Sequence, residues 1–261
     1  MGRFFFLYGE LHGMTAPIAI LSALVDEQRG LLDTLMQPRQ TLRAGRNFWS
    51  GLLCGVPVVL ATSGIGKVAA AVTSTVLIEV FGAAQVVFTG VAGGVGPDVA
   101  VGDVVVGNAF LQHDMDCSPL FPRYEIPLYG QSQIEADSNL TLALLRACQA
   151  APLVHTGHAS PVVIHQGLIA SGDRFVSRPG EVAELMAALG TAGYHPLAVE
   201  MECAAVAQVC LDYGVPFAAV RTISDRADAQ AHGDFQHFVT QVASHYAYQI
   251  IINLMHVLQK T

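Results

Sequence analysis

Short apolar runs alternate with segments of helical periodicity along this chain, and that alternation leaves few folds open. Pro17–Leu24 is apolar and bounded by proline, after which Leu24, Leu31, Leu32 and Leu35 recur at helical spacing. Pro57–Thr62 reads as a strand, and Val68–Phe81 as an alanine-rich helix, apolar throughout and therefore expected to be well buried. Gln85–Thr89 and Asp103–Val106 are short β-branched runs on either side of a glycine turn. Beyond an irregular stretch at 112–136, Leu140–Ala150 is helical, Pro161–Ala170 β-like and Glu181–Leu189 helical. Pro196–Val199 reads as a strand, Cys203–Leu211 as a helix and Val215–Thr222 as a strand. A last helix carries Phe235, Phe238, Val239, Val242, Tyr246 and Ile250 on one face. The order predicts a single three-layer α/β/α domain around a central mixed, mostly parallel sheet. With no internal repeat or low-complexity linker, residues 17–261 form one domain behind an N-terminal extension at 1–16. Met14 precedes the first strand, so residues 1–13 read as a dispensable extension or an upstream start.

Composition removes several function classes. Of the 261 residues 52% are hydrophobic, only 8% are aromatic and 25 are glycine, which suits a buried sheet under small-residue helices. The formal net charge is −8 with no basic cluster, so no nucleic-acid partner is expected. The uncharged stretch Val80–Pro97 is broken by Gly82, Gly90, Gly93, Gly94 and Gly96, so no membrane span is expected. The five-residue apolar run near the N-terminus is too short for a secretory signal, which points to a cytoplasmic protein. Cys54, Cys117, Cys148, Cys203 and Cys210 are scattered without a C-x-x-C pair, as expected of reduced core thiols.

Polar residues stand out just after the strands: Glu27, Ser63, Gly90, Ser171 with Asp173, Glu200 with Glu202, and Ser224 with Asp225. Ligand sites of open α/β sheets form at the carboxyl ends of strands, so jointly these residues outline one cleft. Each has a plainer reading as a cap or turn; Glu27 in VDEQ is an ordinary first-turn carboxylate. SGIGKVAA (63–70) is not a triphosphate loop, because Ala61 stands where the first glycine belongs and Val68 follows Lys67. GVAGGVGPD (90–98) fails the dinucleotide fingerprint at Val99 and reads as a turn bringing backbone close to a ligand. HDMD (113–116) offers three potential ligands in four residues, yet no His or Cys spacing supports a zinc site, so it reads as a structural loop. No metal and no cofactor is expected. Cys203 has no activating His placed beside it and reads as a buried thiol.

ILSALVDEQRGLL, SGIGKVAAA, TGVAGGV with VGDVVV, GLIASGDRF, AVEMECAAVAQV and VPFAAVRTISDRAD together resemble the purine nucleoside phosphorylase superfamily. The match is to its hydrolytic branch, the 5′-methylthioadenosine/S-adenosylhomocysteine nucleosidases, in order from about Pro17 to the C-terminal helix. The resemblance implies a nucleoside phosphorylase-like fold, a homodimer, and cleavage of the N-glycosidic bond to adenine and a thioribose sugar. It implies that Asp225, positioned by Ser224, is the acid at purine N7, and that Glu27 activates the attacking water. Glu202 would hold the ribose hydroxyls, as an ionised acceptor-only carboxylate can. Met201 would pack on the sugar, with Glu200 in support. Phe175 would stack on adenine, Val176 and Gly93 would give backbone contacts, and Ile65 would line the alkylthio end. Two carboxyl groups working on opposite sides of an oxocarbenium-like sugar is glycosidase chemistry.

Phosphorolytic relatives carry an arginine for phosphate where this chain has Phe88, which favours water as the nucleophile. Val91 stands where the family has serine, leaving Arg221 and backbone to anchor the water. Leu24 replaces a common methionine, and residues 112–130 depart from the stretch that in relatives reaches a partner subunit's pocket. Alternatives are a hydrolase of another nucleoside (futalosine-type), a phosphate-dependent nucleoside phosphorylase, and a non-catalytic nucleoside-binding protein.

Overall fold

The computed structural model describes residues 16–154, 161–226, 238 and 242–260. Residues 1–15, and Phe235 and Val239 of the expected last helical face, lie outside them. The elements in chain order are β1 (Ile18–Ser22), α1 (Val25–Thr34), β2 (Met36–Arg43), β3 (Arg46–Leu53), β4 (Val56–Thr62) and α2 (Lys67–Glu79). Then come β5 (Gln85–Gly94), β6 (Val104–Gln112), β7 (Gln133–Glu135), α3 (Ser138–Ala150) and β8 (Ile164–Ser171). The chain continues through α4 (Pro179–Thr191), β9 (Ala198–Glu200), α5 (Cys203–Tyr213), β10 (Phe217–Asp225) and α6 (Ser244–Leu258).

Among the described residues all ten strands share one mixed sheet with two parts. An open wing runs β2-β3-β4-β1-β5, parallel through β4-β1-β5 and antiparallel outward. At β5 the sheet forks. That strand also pairs with β10 in parallel and with β9 in antiparallel fashion. The path β5-β10-β6-β8-β9 returns to β5, so these strands close a ring, with β7 appended to β6.

Successive strand residues point to opposite faces, and each face is apolar because each is covered. Ile18, Ile20, Val58, Leu60 and Val220 pack with Leu31 of α1, Leu144 of α3 and Ile250 of α6. Ala19, Leu21, Val59, Phe88 and Ala219 pack with Leu77 of α2 and Val206 of α5. Leu189 of α4 covers Leu168, Ala170 and Val199 at the β8–β9 edge. Three layers result, as expected. Phe238, Val242, Tyr246 and Ile250 are buried where the last helical pattern placed them.

Three local features differ from the sequence reading. Met36–Leu53 folds as a hairpin, although MQPRQTLR has no apolar alternation; β2 is an edge strand exposed at nearly every position. Its turn uses Ala44 and Gly45, both at positive φ (46° and 73°), which matches the twist of tight hairpins. Next, the glycines after Thr89 do not turn: β5 runs straight through Gly90 to Gly94. Finally, α2 is only half covered. Ala70, Thr73, Ser74 and Leu77 are buried, whereas Val68 is 75% exposed and Val72 38%.

Candidate active site

The carboxyl ends of β1, β5, β8, β9 and β10 and the loop after β4 surround a cavity of about 340 Å³. The residues given a place in the site by the resemblance line it: Glu27, Ile65, Gly93, Phe175, Val176, Glu200, Met201, Glu202, Arg221, Ser224 and Asp225. Ala23, Leu24, Val91, Ala92, Arg174 and Val199 complete the wall.

Arg221 organises the floor. It lies on β10 opposite Gly90 of β5 and is 1% exposed. Its guanidinium sits 4.1 Å from the centroid of the Phe88 ring. One Nη2 donates to Glu200 Oε2 at 2.6 Å and lies 3.8 Å from Glu202 Oε2. The buried charge is therefore already paired, as burial of an ion requires.

Glu27 enters from the first turn of α1. Its Oε2 accepts the N–H groups of Ala23 (2.9 Å) and Leu24 (2.8 Å), and its Oε1 that of Val91 (3.0 Å). The plain capping reading of this residue fits these contacts, and the same carboxylate also lines the cavity. Burial raises the Glu27 carboxyl above its ordinary range, against the opposing charge of Arg221 and these amides. Because the contact from residue 91 is a backbone N–H, it does not need the family's serine.

Glu200 and Glu202 flank Met201 and have opposite surroundings. Glu200 accepts the N–H of Glu202 at 3.0 Å, that of Cys203, the Arg221 guanidinium and the Ser171 hydroxyl. Burial works against its ionisation, but Arg221 and the Ser171 hydroxyl outweigh it and hold the carboxyl below the usual range. Glu202 has Gly66 N–H on Oε1 at 2.8 Å. Burial and the neighbouring Glu200 charge push it up to about 8. Burial and the Glu200 charge thus favour a proton on Glu202, whereas the sequence suggested its ionised, acceptor-only form. Glu200 is the structural anion that anchors the start of α5; Glu202 is the one free to change.

Asp225 is presented by a register irregularity. β10 pairs regularly with β5 up to Ile223 opposite Ala92, after which Asp225 falls opposite Gly93, so Ser224 is the extra residue. Such a bulge re-aims a side chain beside a site. Ser224 Oγ donates to Asp225 Oδ2 at 2.7 Å, and both residues are buried.

Other sequence candidates fall elsewhere. Ser63 is buried against its own loop, with Oγ donating to Gly64 O at 2.6 Å, and does not line the cavity. Asp173 does not line it either and accepts the Lys67 N–H at 2.7 Å. HDMD is a structural loop: Asp114 pairs with Lys67 at 2.6 Å, Asp116 with Arg123 at 3.7 Å, and the His113 imidazole is buried. Among the described residues no group of three or more His, Cys, Asp or Glu could hold a metal. Cys203 is fully buried, and burial raises its thiol well above the ordinary value. Arg174 was not anticipated, although its place directly before Phe175 was a signal; it lines the cavity and pairs with Glu181 at 2.5 Å. Val199 and Ala92 were missed because an apolar strand residue looks alike in a core and in a cavity wall.

The profile of the phosphorylase superfamily matches residues 17–255. The 5′-methylthioadenosine/S-adenosylhomocysteine nucleosidase of Bacillus cereus (strain B4264) is 39% identical over 233 residues, 87% of this chain and 94% of that protein. The crystal structure of the nucleosidase of that name from Neisseria meningitidis, in complex with methylthio-immucillin-A, aligns with a TM-score of 0.83 at 33% identity. It covers 92% of this chain and 99% of that one. The native structure of futalosine hydrolase of Helicobacter pylori strain 26695 aligns at 0.80 with 30% identity, covering 92% and 97%.

Proposed function

The chain belongs to the phosphorylase superfamily and, within it, to the 5′-methylthioadenosine/S-adenosylhomocysteine nucleosidases, and on that premise we propose how its cavity performs the hydrolysis. The enzyme is an N-ribosyl hydrolase that releases adenine from the nucleoside. Asp225, oriented by the Ser224 hydroxyl, protonates the departing purine. Glu27 takes the proton of the attacking water on the other side of the sugar. Its raised pKa makes it a stronger base than an exposed carboxylate, while three backbone N–H groups fix its aim. Glu202 holds the ribose hydroxyls, Met201 packs on the sugar and Phe175 covers the base. With a proton on Glu202, one oxygen donates to a hydroxyl and the other accepts, which suits two neighbouring hydroxyls as well as an anion does.

One observation carries water over phosphate as the nucleophile. The cavity presents four carboxyl groups, Glu27, Glu200, Glu202 and Asp225, and its buried cation, Arg221, is already paired with Glu200 at 2.6 Å. A phosphate dianion needs several unspent donors in a dry site. Here it would meet four carboxyl groups and an arginine whose Nη2 is already spent on Glu200, while its Nε lacks a partner among the described residues. Phe88 spends its ring under Arg221, so it supports the cation without offering phosphate a contact. The relatives that match at 39% identity are methylthioadenosine/S-adenosylhomocysteine nucleosidases, which supports those nucleosides as substrates, although among solved structures futalosine hydrolase at 30% identity stands level with nucleosidases at 27% and 33%.

The working protein is a cytoplasmic homodimer. Among the described residues no helix is long and apolar enough to cross a membrane, and the exposed Val68 and Val72 of α2 offer an apolar stripe for a second copy. Mass analysis of products from methylthioadenosine, with and without phosphate, tests the reaction. Adenine and methylthioribose formed at equal rates in both are expected. Methylthioribose 1-phosphate formed only with phosphate would overturn the argument from the carboxyl-lined cavity.

A further inference from the structure

Three loops meet beside the cavity in a closed circuit of hydrogen bonds. Lys67, the first residue of α2, donates its backbone N–H to Asp173 Oδ1 at 2.7 Å. Asp173 donates its own N–H to Asp114 Oδ2 at 2.8 Å. Asp114 Oδ1 accepts from Lys67 Nζ at 2.6 Å, which returns to the starting residue. Lys67 Nζ also donates to Gln112 Oε1 at 3.1 Å and lies 4.0 Å from Asp173 Oδ2. The three residues follow β4, β6 and β8, which are far apart in sequence.

The circuit's neighbours are what give it a role. Gly66, immediately before Lys67, donates its N–H to Glu202 at 2.8 Å. Phe175, two residues after Asp173, lines the cavity. The start of the loop that carries Asp173 and Phe175 is backed by His113, because a Cβ on Gly172 would lie 2.3 Å from the imidazole. Neither Lys67 nor Asp114 lines the cavity.

An exposed ion pair stabilises little, but this one is neither isolated nor fully exposed. The Lys67 side chain is 16% exposed and that of Asp114 31%. Both carboxylates accept a backbone N–H as well as facing the ammonium, and such charge-assisted bonds are the stronger class. Burial works against the Asp114 anion, yet Lys67 and the Asp173 amide outweigh it and keep its carboxyl below the usual range.

We propose that Lys67 is a positioning residue for the hydrolysis, locking the loop that carries Phe175 to the loop whose Gly66 amide holds Glu202. The purine wall and the sugar-holding carboxyl are thereby set at a fixed spacing before substrate arrives. This rests on the nucleosidase reading for what the two walls hold, and not for the lock itself.

The test pairs Lys67→Met and Lys67→Arg in the full-length protein, read by amide hydrogen exchange over residues 172–176 and by KM and kcat for methylthioadenosine. Methionine should speed exchange in that segment by about tenfold or more. It should raise KM by roughly tenfold with kcat kept within about threefold, the signature of lost binding geometry without lost chemistry. Arginine should recover most of both losses. Asp114→Asn should act in the same direction, and the double variant Lys67→Met/Asp114→Asn should be no worse than either single one. Unchanged exchange in both single variants would overturn the lock. Faster exchange with unchanged KM, or a fall in kcat alone, would overturn the positioning role. Failure of the unaltered protein to release adenine would instead defeat the nucleosidase reading, while the exchange measurement still decides the lock.

Discussion

Gly90→Ala is the smallest change that should disable the site. Gly90 lies in β5 opposite Arg221, and a Cβ there would sit 2.7 Å from Arg221 Nη1 and 2.8 Å from Glu27 Oε1. Ordinary contact begins at 3.4 Å, so one or both side chains must retreat by roughly 0.6–0.7 Å. Ends of long side chains usually yield easily, but these are held. Glu27 is fixed by three backbone N–H groups, and Arg221 by Glu200 and the face of Phe88. The added methyl therefore strains a packed polar network, for which overpacking costs about 1–3 kcal/mol. A shift approaching 1 Å in a catalytic group costs on the order of 10²-fold in rate. Steady-state adenine release from methylthioadenosine should show kcat down about 10²-fold. Thermal unfolding should show Tm lower by about 2–10 °C. Gly180→Ala is the control: a Cβ there meets nothing within 4 Å, so both quantities should hold or improve slightly. A Gly90→Ala enzyme with undiminished kcat would refute the claim that Glu27 is held in place for the reaction.

Other expectations follow from the same network. Glu27→Gln and Asp225→Asn should each lose about 10²–10⁴-fold in kcat while still binding methylthioadenosine, measured by calorimetry. Glu202 has a folded pKa of about 8 against 4.5 for the free group, so the folded chain holds an extra proton between those values. Stability contributed by that proton is present at low pH and is lost as pH rises towards 8; Glu202→Gln should flatten the decline of Tm over that window. Glu200 is depressed, so its contribution runs the other way and is lost on acidification, which Tm measured below pH 5 in the Glu202→Gln background will isolate. Arg221→Met should destabilise by about 3–5 kcal/mol at pH 8 in chemical denaturation, and by less at pH 5, where the surrounding carboxyls protonate.

Most of the covered strands were legible because burial on both faces forces apolar runs, as in IAILS, VPVVLAT and FAAVRTISD. β2 was not, because an exposed edge strand has no apolar side to announce it. The glycines of β5 were misread for a physical reason that only packing reveals. They serve to leave space beside Arg221 and Glu27 at Gly90, and beside Ile223 at Gly94, rather than to bend the chain. α2 looked buried because composition cannot say what lies on each side of a helix. At the cavity, charged residues after strands pointed to Glu27, Glu200, Glu202 and Asp225, and the family resemblance supplied the apolar members. Arg174 and the circuit through Lys67 stayed hidden, since a lysine after a glycine turn and an aspartate in HDMD give no sign of meeting. Protonation states were hidden too: Glu200 and Glu202 are two residues apart and shift in opposite directions.

The ring of strands sets an order on the making of the protein. β5 is synthesised early, yet two of its partners, β9 and β10, lie in the last third of the chain. A nascent chain can assemble the wing from β1 to β5 while β5 still offers a bare, apolar hydrogen-bonding edge. That edge stays open until β10 leaves the ribosome, and the same strand delivers Arg221 and Asp225. Until β10 is made, the ring therefore lacks both its closing strand and the cavity residues that strand carries.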